Sequence, residues 1–166
     1  MSDNEKLQSA LNSAYYYLKF RPRTKKEVER NLKKKANKYQ WSDETIEKVL
    51  KYLEEQNLIN DADFIKLFVE SRNKIKQKSQ FALKSELMKK GVSKDLIDLH
   101  FAEHEQNEEE LAYTALRTRW TRFERLDKQT RIKKVASFLG SRGFSFDVIK
   151  KTIAKYEEKG YNKDDY

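Results

Sequence analysis

The sequence predicts an all-α protein of three tandem three-helix repeats, stacked into an elongated, curved array. Three observations predict this fold class. The 166 residues include only four glycines and one proline, too few for the turns that sheets and hairpins need. Apolar residues recur at the three- and four-residue spacing of buried helix faces. A helix-start motif returns after 51 and then 52 residues, which indicates an internal repeat.

Each predicted repeat opens with a leading helix that carries apolar residues on one face. A candidate capping box, Asn107-x-x-Glu110, precedes the third of these helices. The face residues are Leu7, Leu11, Ala14, Tyr15 and Leu18 in the first repeat, Phe64, Leu67 and Phe68 in the second, and Leu111, Ala115 and Leu116 in the third.

The second helix of each repeat carries two apolar anchors four residues apart. In the second and third repeats this helix runs into similar turns at 90–93 and 142–145, Lys-Gly-Val-Ser and Arg-Gly-Phe-Ser. A glycine after one helix followed by a capping serine predicts a helix–turn–helix junction. The first repeat is predicted to replace this turn with residues 36–40, four residues longer. The anchors are Val28/Leu32, Leu83/Leu87 and Val135/Leu139.

The third helices begin with the repeated motif Ser-x-acid-x-Ile at Ser42, Ser93 and Ser145. Each serine is predicted to cap its helix, and each acid lies where the helix dipole favours negative charge. These landmarks place the repeats at about 1–59, 60–106 and 107–158. Residues 159–166 are predicted to form a frayed tail.

Composition excludes several classes of function. The absence of cysteine removes disulfides, thiol catalysis and Cys-ligated zinc, and it fits a reducing cytoplasm. The N-terminus has no apolar core of the signal-peptide type, and no run reaches membrane-spanning length. Glycine-rich phosphate loops are absent as well. We therefore expect a cytoplasmic protein that is not an enzyme, uses no cofactor and has no membrane partner.

One motif imitates a catalytic site. His100-x-x-Glu103-His104 matches the inverted zinc-peptidase pattern, but such a site needs a third, distal ligand and a substrate cleft. The two histidines align with Val49 and Leu53 of the first repeat. We therefore predict that they belong to a packing face and bind no metal.

Positive charge recurs at the same place in each repeat. Lys and Arg outnumber acids by nine to two in residues 19–35, by seven to one in 72–90 and by eight to two in 117–134. The third helices are acidic, with net charges of −3 for 43–57 and −7 for 95–110. Two interpretations stay open: a basic surface that follows a polyanion, or solvation of exposed helix faces.

Two short segments are the best candidates within these blocks. Arg21-Pro22-Arg23 places two guanidinium groups around a proline, just before the capping box Thr24-x-x-Glu27. Residues 117–123, Arg-Thr-Arg-Trp-Thr-Arg-Phe, interleave arginine with aromatic rings. That mixture suits phosphate contact and base stacking, although Trp120 and Phe123 are predicted to be core residues.

The chain resembles the RecX family over nearly its whole length. The motifs that carry the resemblance are Arg21-Pro22-Arg23-Thr24-x-x-Glu27, Asn60-Asp61-x-x-Phe64-x-x-x-Phe68-Val69-x-x-Arg72, Glu86-Leu87-x-x-Lys90-Gly91-Val92 and Phe138-Leu139-x-x-Arg142-Gly143-Phe144-Ser145. The chain departs from the family at Asn60, where aspartate is usual. It also departs at residues 79–82, Ser-Gln-Phe-Ala, where glycine, proline and basic residues are usual.

The resemblance implies a monomeric modulator that lies in the groove of the RecA–single-stranded-DNA filament and suppresses strand exchange and ATP hydrolysis. Asp61 and Phe64 are then interpreted as a helix cap and a core ring. A helical transcriptional regulator that binds DNA is the alternative, and it would need one recognition helix and usually a dimer. The candidates for contact with RecA or DNA are Arg21, Arg23, Lys25, Lys26, Lys33, Lys34, Arg72, Lys84, Arg117, Arg119, Arg122, Arg131 and Arg142.

Overall fold

The computed structural model describes residues 2–158, and within that range the chain forms nine α-helices and no strand. The predicted all-α class is confirmed, with three helices in each predicted repeat. The tail predicted at 159–166 lies outside the described residues. The helices are α1 (Asp3–Leu18), α2 (Lys25–Tyr39), α3 (Asp43–Glu55), α4 (Asp61–Ile75), α5 (Gln80–Lys89), α6 (Lys94–Glu103), α7 (Glu108–Phe123), α8 (Lys128–Gly140) and α9 (Phe146–Glu158).

The predicted anchors form the centres of the packing. Helices α1, α2 and α3 pack on one another around Val28 and Leu32, and α7, α8 and α9 pack around Val135 and Leu139. All of these side chains have an exposed fraction of 0%, as do Leu83 and Leu87 of α5. Full burial of such a side chain contributes about 1.5–3 kcal/mol.

Some large apolar residues of the leading helices are buried in the core and others are exposed on the surface. Trp120 and Phe123 are buried, as predicted, and so is Phe64. Tyr15 and Leu67 were predicted on packing faces, and this is wrong, because both are exposed. In α1 the small side chains Ala10 and Ala14 occupy the buried positions instead.

The three serine caps are confirmed. Ser42 Oγ accepts from the backbone N–H of Thr45 at 3.1 Å, Ser93 Oγ from Leu96 at 3.3 Å and Ser145 Oγ from Val148 at 3.4 Å. Each bond satisfies one of the backbone donors that a helix N-terminus leaves without a partner.

The turn of the first repeat differs from its prediction. Residues 36–39 are not part of a longer loop; they add one more turn to α2. Gln40 then adopts the left-handed conformation, with φ +55°, that Gly91 and Gly143 adopt in the other two repeats. The backbone N–H of Trp41 returns to the carbonyl of Ala36 just as that of Val92 returns to Leu87, so the same helix-ending motif is made without glycine.

By contact density the described residues divide into two compact units that cut across the middle repeat. One unit comprises residues 2–67 with 87–100, and the other comprises 68–86 with 101–158. The helices of the middle repeat therefore contribute to both units. Within each unit, one repeat joins its neighbour through a junction of the same design.

In the first unit, the start of α2 docks on the turn that follows α5. The hydroxyl of Thr24, which is completely buried, donates to the carbonyl of Lys90 at 2.7 Å. Asp61 accepts from the backbone N–H of Lys25 at 2.9 Å. Asp61 is thus a cap, as predicted, but it caps α2, while Asn60 accepts from the N–H of Asp63 at the start of α4.

The second unit repeats this arrangement between the start of α5 and the turn that follows α8. The backbone N–H of Ser79 donates to the carbonyl of Arg142 at 3.0 Å, and Arg142 Nη1 donates to the carbonyl of Gln77 at 3.0 Å. Glu108, the first residue of α7, accepts from the N–H of Gln80, the first residue of α5. The corresponding acid in the first unit is Asp61, the first residue of α4.

The glycines of the two turns are required for close approach as well as for backbone conformation. A Cβ built on Gly91, at φ +84°, would lie 2.4 Å from Cβ of Lys26. A Cβ built on Gly143, at φ +86°, would lie 2.5 Å from Oγ of Ser79. Glycine therefore lets the helix start of one repeat contact the turn of the next.

Candidate nucleic-acid interface

Four of the six candidate cations in the first basic block are held by acids of the protein itself. Arg21 forms a two-point contact with Glu27, at 2.7 Å through Nη2 and 3.2 Å through Nη1. This hydrogen bond raises the pKa of Arg21. Burial favours the neutral form of Glu27, but the hydrogen bonds from Arg21 and the Thr24 backbone, with the nearby charge of Lys90, lower its pKa overall.

The lysines of α2 follow the same rule. Lys26 and Lys33 contact the two oxygens of Glu29 at 2.7 and 2.8 Å, and these hydrogen bonds lower the pKa of Glu29. Lys25 contacts Glu54 of α3 at 2.8 Å. Glu54 lies outside residues 19–35, so this pair offsets one further charge beyond those counted in the block's net charge of +7.

The two remaining candidates of this block form no ion pair with any acid among residues 2–158. The guanidinium of Arg23 lies 4.0 Å from the centre of the Tyr17 ring, a cation–π contact. Lys34 is exposed and forms no ion pair within residues 2–158.

In the middle block one acid holds two of the seven cations. Glu86 accepts from both Arg72, at 3.1 Å, and Lys78. Burial opposes the charge of Glu86, yet the contacts with Lys78 and Arg72 lower its pKa overall. Arg72 also lies over the ring of Phe68, and the ammonium of Lys84 lies 5.6 Å from the centre of the Phe101 ring.

One candidate of the third block, Arg131, forms hydrogen bonds and an ion pair within its own repeat. Arg131 donates to the carbonyls of Glu124 and Leu126 at 3.4 and 3.3 Å, and it pairs with Glu157 at 3.4 Å. These bonds close the loop between α7 and α8 and tie it to α9. The structure thus gives Arg131 a structural role.

The other arginine candidates of the third repeat are different, because no acid among residues 2–158 forms an ion pair with them. Arg117, Arg119 and Arg122 are exposed on α7. Arg119 and Arg122 are three residues apart and therefore share a helix face, whereas Arg117 lies on another face. Arg142 lies close enough to Arg119 that the two charges interact.

We call Arg119, Arg122 and Arg142 the arginine cluster. Arg142 is held in place by the Gln77 carbonyl and by the ring of Phe138, 4.5 Å from its guanidinium. Partial burial lowers the pKa of Arg142, and the charge of Arg119 lowers it further. Neighbouring cations without an acid between them form a surface suited to phosphate oxygens.

The two histidines of the peptidase-like motif do not form one packing face. His100 is half-buried on α6, but His104 lies beyond the end of that helix and is exposed. The prediction that both pack between helices is therefore wrong for His104. Within residues 2–158 no three His, Cys, Asp or Glu side chains are grouped so that they can hold a metal ion.

Sequence reasoning located every basic block but not the partners within it. The Lys26–Glu29–Lys33 spacing of three and four residues is a signal that predicts two of the ion pairs. Sequence reasoning did not identify Thr24 and Ser79 as junction residues, because their hydrogen-bond partners lie more than sixty residues away in the chain.

Family models and relatives agree on what the chain resembles. Models of the first, second and third three-helix domains of RecX match residues 10–53, 60–99 and 107–153. A protein of Prosthecochloris aestuarii named "Regulatory protein RecX" is 35% identical over 155 residues, covering 92% of this chain and 96% of that protein. A protein of Amycolatopsis mediterranei with the same name is 30% identical, covering 97% and 93%.

Solved structures show the same fold. The crystal structure of RecX from Lactobacillus salivarius matches with a TM-score of 0.76 at 22% identity, over 93% of this chain and 99% of that one. A second structure, of regulatory protein RecX, matches with a TM-score of 0.71 over 92% and 73%. Within residues 2–158, no helix combines the length and the apolar character needed to cross a membrane.

Proposed function

Since this chain belongs to the RecX family, we propose that it is a non-catalytic regulator that binds the RecA–single-stranded-DNA filament. It acts in the cytoplasm as a monomer and inhibits the ATPase, strand-exchange and coprotease activities of the filament. RecA as the partner follows from the family resemblance. Relatives of this chain are named as regulatory proteins, which supports a regulatory role.

The arginine cluster is the observation that carries the DNA-binding part of the proposal. A filament that contains DNA presents phosphates, and uncompensated arginines bind phosphates at little cost because no internal ion pair has to be broken. The paired cations of α2 lose a partner when they bind an anion. We therefore rank Arg119, Arg122 and Arg142 above the paired cations Arg21, Lys25 and Lys26 as DNA contacts.

Repetition supports the RecA part of the proposal. Each unit joins parts of two successive repeats through a junction of the same design, and a filament presents identical protomers at regular intervals. Several weak contacts made by linked repeats gain affinity through effective concentration.

The test is the DNA-stimulated ATPase activity of RecA, titrated with the wild-type protein and with Arg119→Glu/Arg122→Glu. We expect the wild type to inhibit near stoichiometric amounts and the variant to need at least about tenfold more protein. The double variant Lys66→Glu/Lys150→Glu is the matched control, since both lysines are exposed and it makes the same change in net charge.

Absence of inhibition by the wild type would contradict the proposed function. Tight, sequence-specific binding to duplex DNA in its place would favour the transcriptional regulator. Equal loss of inhibition in the variant and the control would show that only net charge matters and would remove the arginine cluster from the account.

A further inference from the structure

Two large aromatic rings are exposed at the C-terminal end of α1: Tyr16 lies in the helix and Phe20 two residues beyond its end. Tyr16 and Phe20 have exposed fractions of 64% and 63%. Their ring centres are 5.1 Å apart and the rings meet edge to face, at 81°. Ala10 and Ala14 hold the opposite, buried side of the helix. The pair is therefore not needed for the core of the first repeat.

The surroundings of this pair are cationic. Lys19 lies between the two rings in sequence and is exposed, and Arg21 and Arg23 follow directly. From residue 6 to residue 26 the chain contains no aspartate or glutamate. Although Arg21 is paired with Glu27, its side chain stays 42% exposed.

Exposed rings beside cations are the combination by which proteins bind single-stranded nucleic acid without reading its sequence. Bases stack on the rings, while the cations attract the phosphates between them. An apolar pocket of a protein partner would match the rings but not the cations at positions 19, 21 and 23. Charge complementarity thus favours nucleic acid as the occupant.

We propose that Tyr16 and Phe20 form a stacking platform for the unpaired bases of single-stranded nucleic acid. This proposal rests on the proposed function, because the single-stranded DNA that would stack on the rings is one component of the filament. Residues 117–123 do not offer such a platform, because Trp120 and Phe123 are buried, as predicted, and present no open ring face to a base.

The experiment compares two oligonucleotides of equal length, oligo-dT and an abasic strand that has the same phosphates but no bases. Binding is measured by fluorescence anisotropy for the wild type and for Tyr16→Leu/Phe20→Leu, which keeps apolar bulk and removes the ring faces. Both rings are exposed, so the variant is expected to fold. Phe146→Leu, at a ring that is 77% exposed on α9, is the matched control.

We expect the wild type and Phe146→Leu to bind oligo-dT roughly tenfold tighter than the abasic strand. The Tyr16→Leu/Phe20→Leu variant is expected to bind both strands alike, with the affinity that the wild type has for the abasic strand. A preference for oligo-dT that persists in this variant would overturn the proposal.

Two further outcomes separate this proposal from the proposed function. If the variant keeps wild-type affinity for oligo-dT but no longer inhibits RecA, the rings contact protein and the stacking platform is wrong. If the wild type prefers oligo-dT and the variant does not, while neither inhibits RecA, the platform stands and the proposed function fails.

Discussion

The first and third repeats share one design of packing but differ in what their positive charge is available for. Both have a second helix anchored by two completely buried side chains and a third helix capped by serine. Their basic blocks carry similar net charges, +7 and +6. In the first repeat acids hold four of the six candidate cations, whereas in the third the arginine cluster has no acidic partner within residues 2–158.

Because the two blocks have similar net charges but differ in their ion pairs, counting charges along a sequence does not locate a binding surface. An ion pair on the surface adds little stability, commonly less than about 1 kcal/mol, but it lowers the field that an approaching polyanion meets. The shared packing of the two repeats and the different pairing of their cations can therefore be tested separately.

The largest expected effect concerns the shared junction. Gly143→Ala should lower the free energy of unfolding by about 2–4 kcal/mol, since the new Cβ combines a strained backbone with contacts at 2.5 and 2.7 Å to Ser79 and Ala82. Gly140→Ala, three residues earlier, is the control, because nothing lies within 4 Å of its new Cβ. It should be neutral or stabilise by up to about 1 kcal/mol. Chemical denaturation measures both, and equal values would contradict the junction described here.

A smaller effect on stability is expected at Glu27, the acid that pairs with Arg21 in the first repeat. The folded-state pKa of Glu27 lies below its unfolded value, so the stability it contributes is present above the unfolded pKa and is lost as the pH falls through the folded pKa. Glu27→Gln should therefore be less stable than the wild type at neutral pH, and the difference should shrink on acidification. Thermal unfolding across this pH range checks the prediction, and a difference that does not depend on pH would refute it.

The smallest effect is expected at Asp61, which lies at the junction of the first unit. Its pKa is shifted upward, in the opposite direction to that of Glu27. Burial raises its pKa, the N–H of Lys25 lowers it, and the charges of Glu54 and Glu27 raise it. Its ionised form therefore disfavours folding at pH values above the folded pKa. Asp61→Asn keeps an oxygen acceptor for Lys25, so it should match or slightly exceed the wild type in stability at neutral pH and lose that gain in acid. A large loss at neutral pH would show that the carboxylate charge itself is needed.

Most of the fold follows from local sequence signals. The anchors, the serine caps and the glycine turns each depend on residues within four or five positions of one another, and all were confirmed. Gln40 was misjudged, because a left-handed glutamine gives no signal in the sequence, and its turn was predicted as a longer loop.

Long-range contacts set the limit of prediction at the candidate site. Nothing near Thr24 in the sequence indicates that it bonds to Lys90, or that Asp61 caps α2. The arginine cluster combines α7 with the turn after α8, so its proximity depends on packing. Within residues 117–123 the burial of Trp120 and Phe123 was predicted correctly, but the proximity of Arg119 to Arg142 became clear only from the fold.

The most direct test of the account measures affinity for the RecA–single-stranded-DNA filament over a range of salt concentrations in two matched variants. Arg119→Gln/Arg122→Gln removes two uncompensated cations, and Lys25→Gln/Lys26→Gln removes two paired ones. The account predicts that the arginine variant binds at least about tenfold more weakly and has a salt dependence reduced by about 1.5 in log–log slope, while the lysine variant stays within about threefold of the wild type. The reverse order, or equal losses in the two variants, would contradict it.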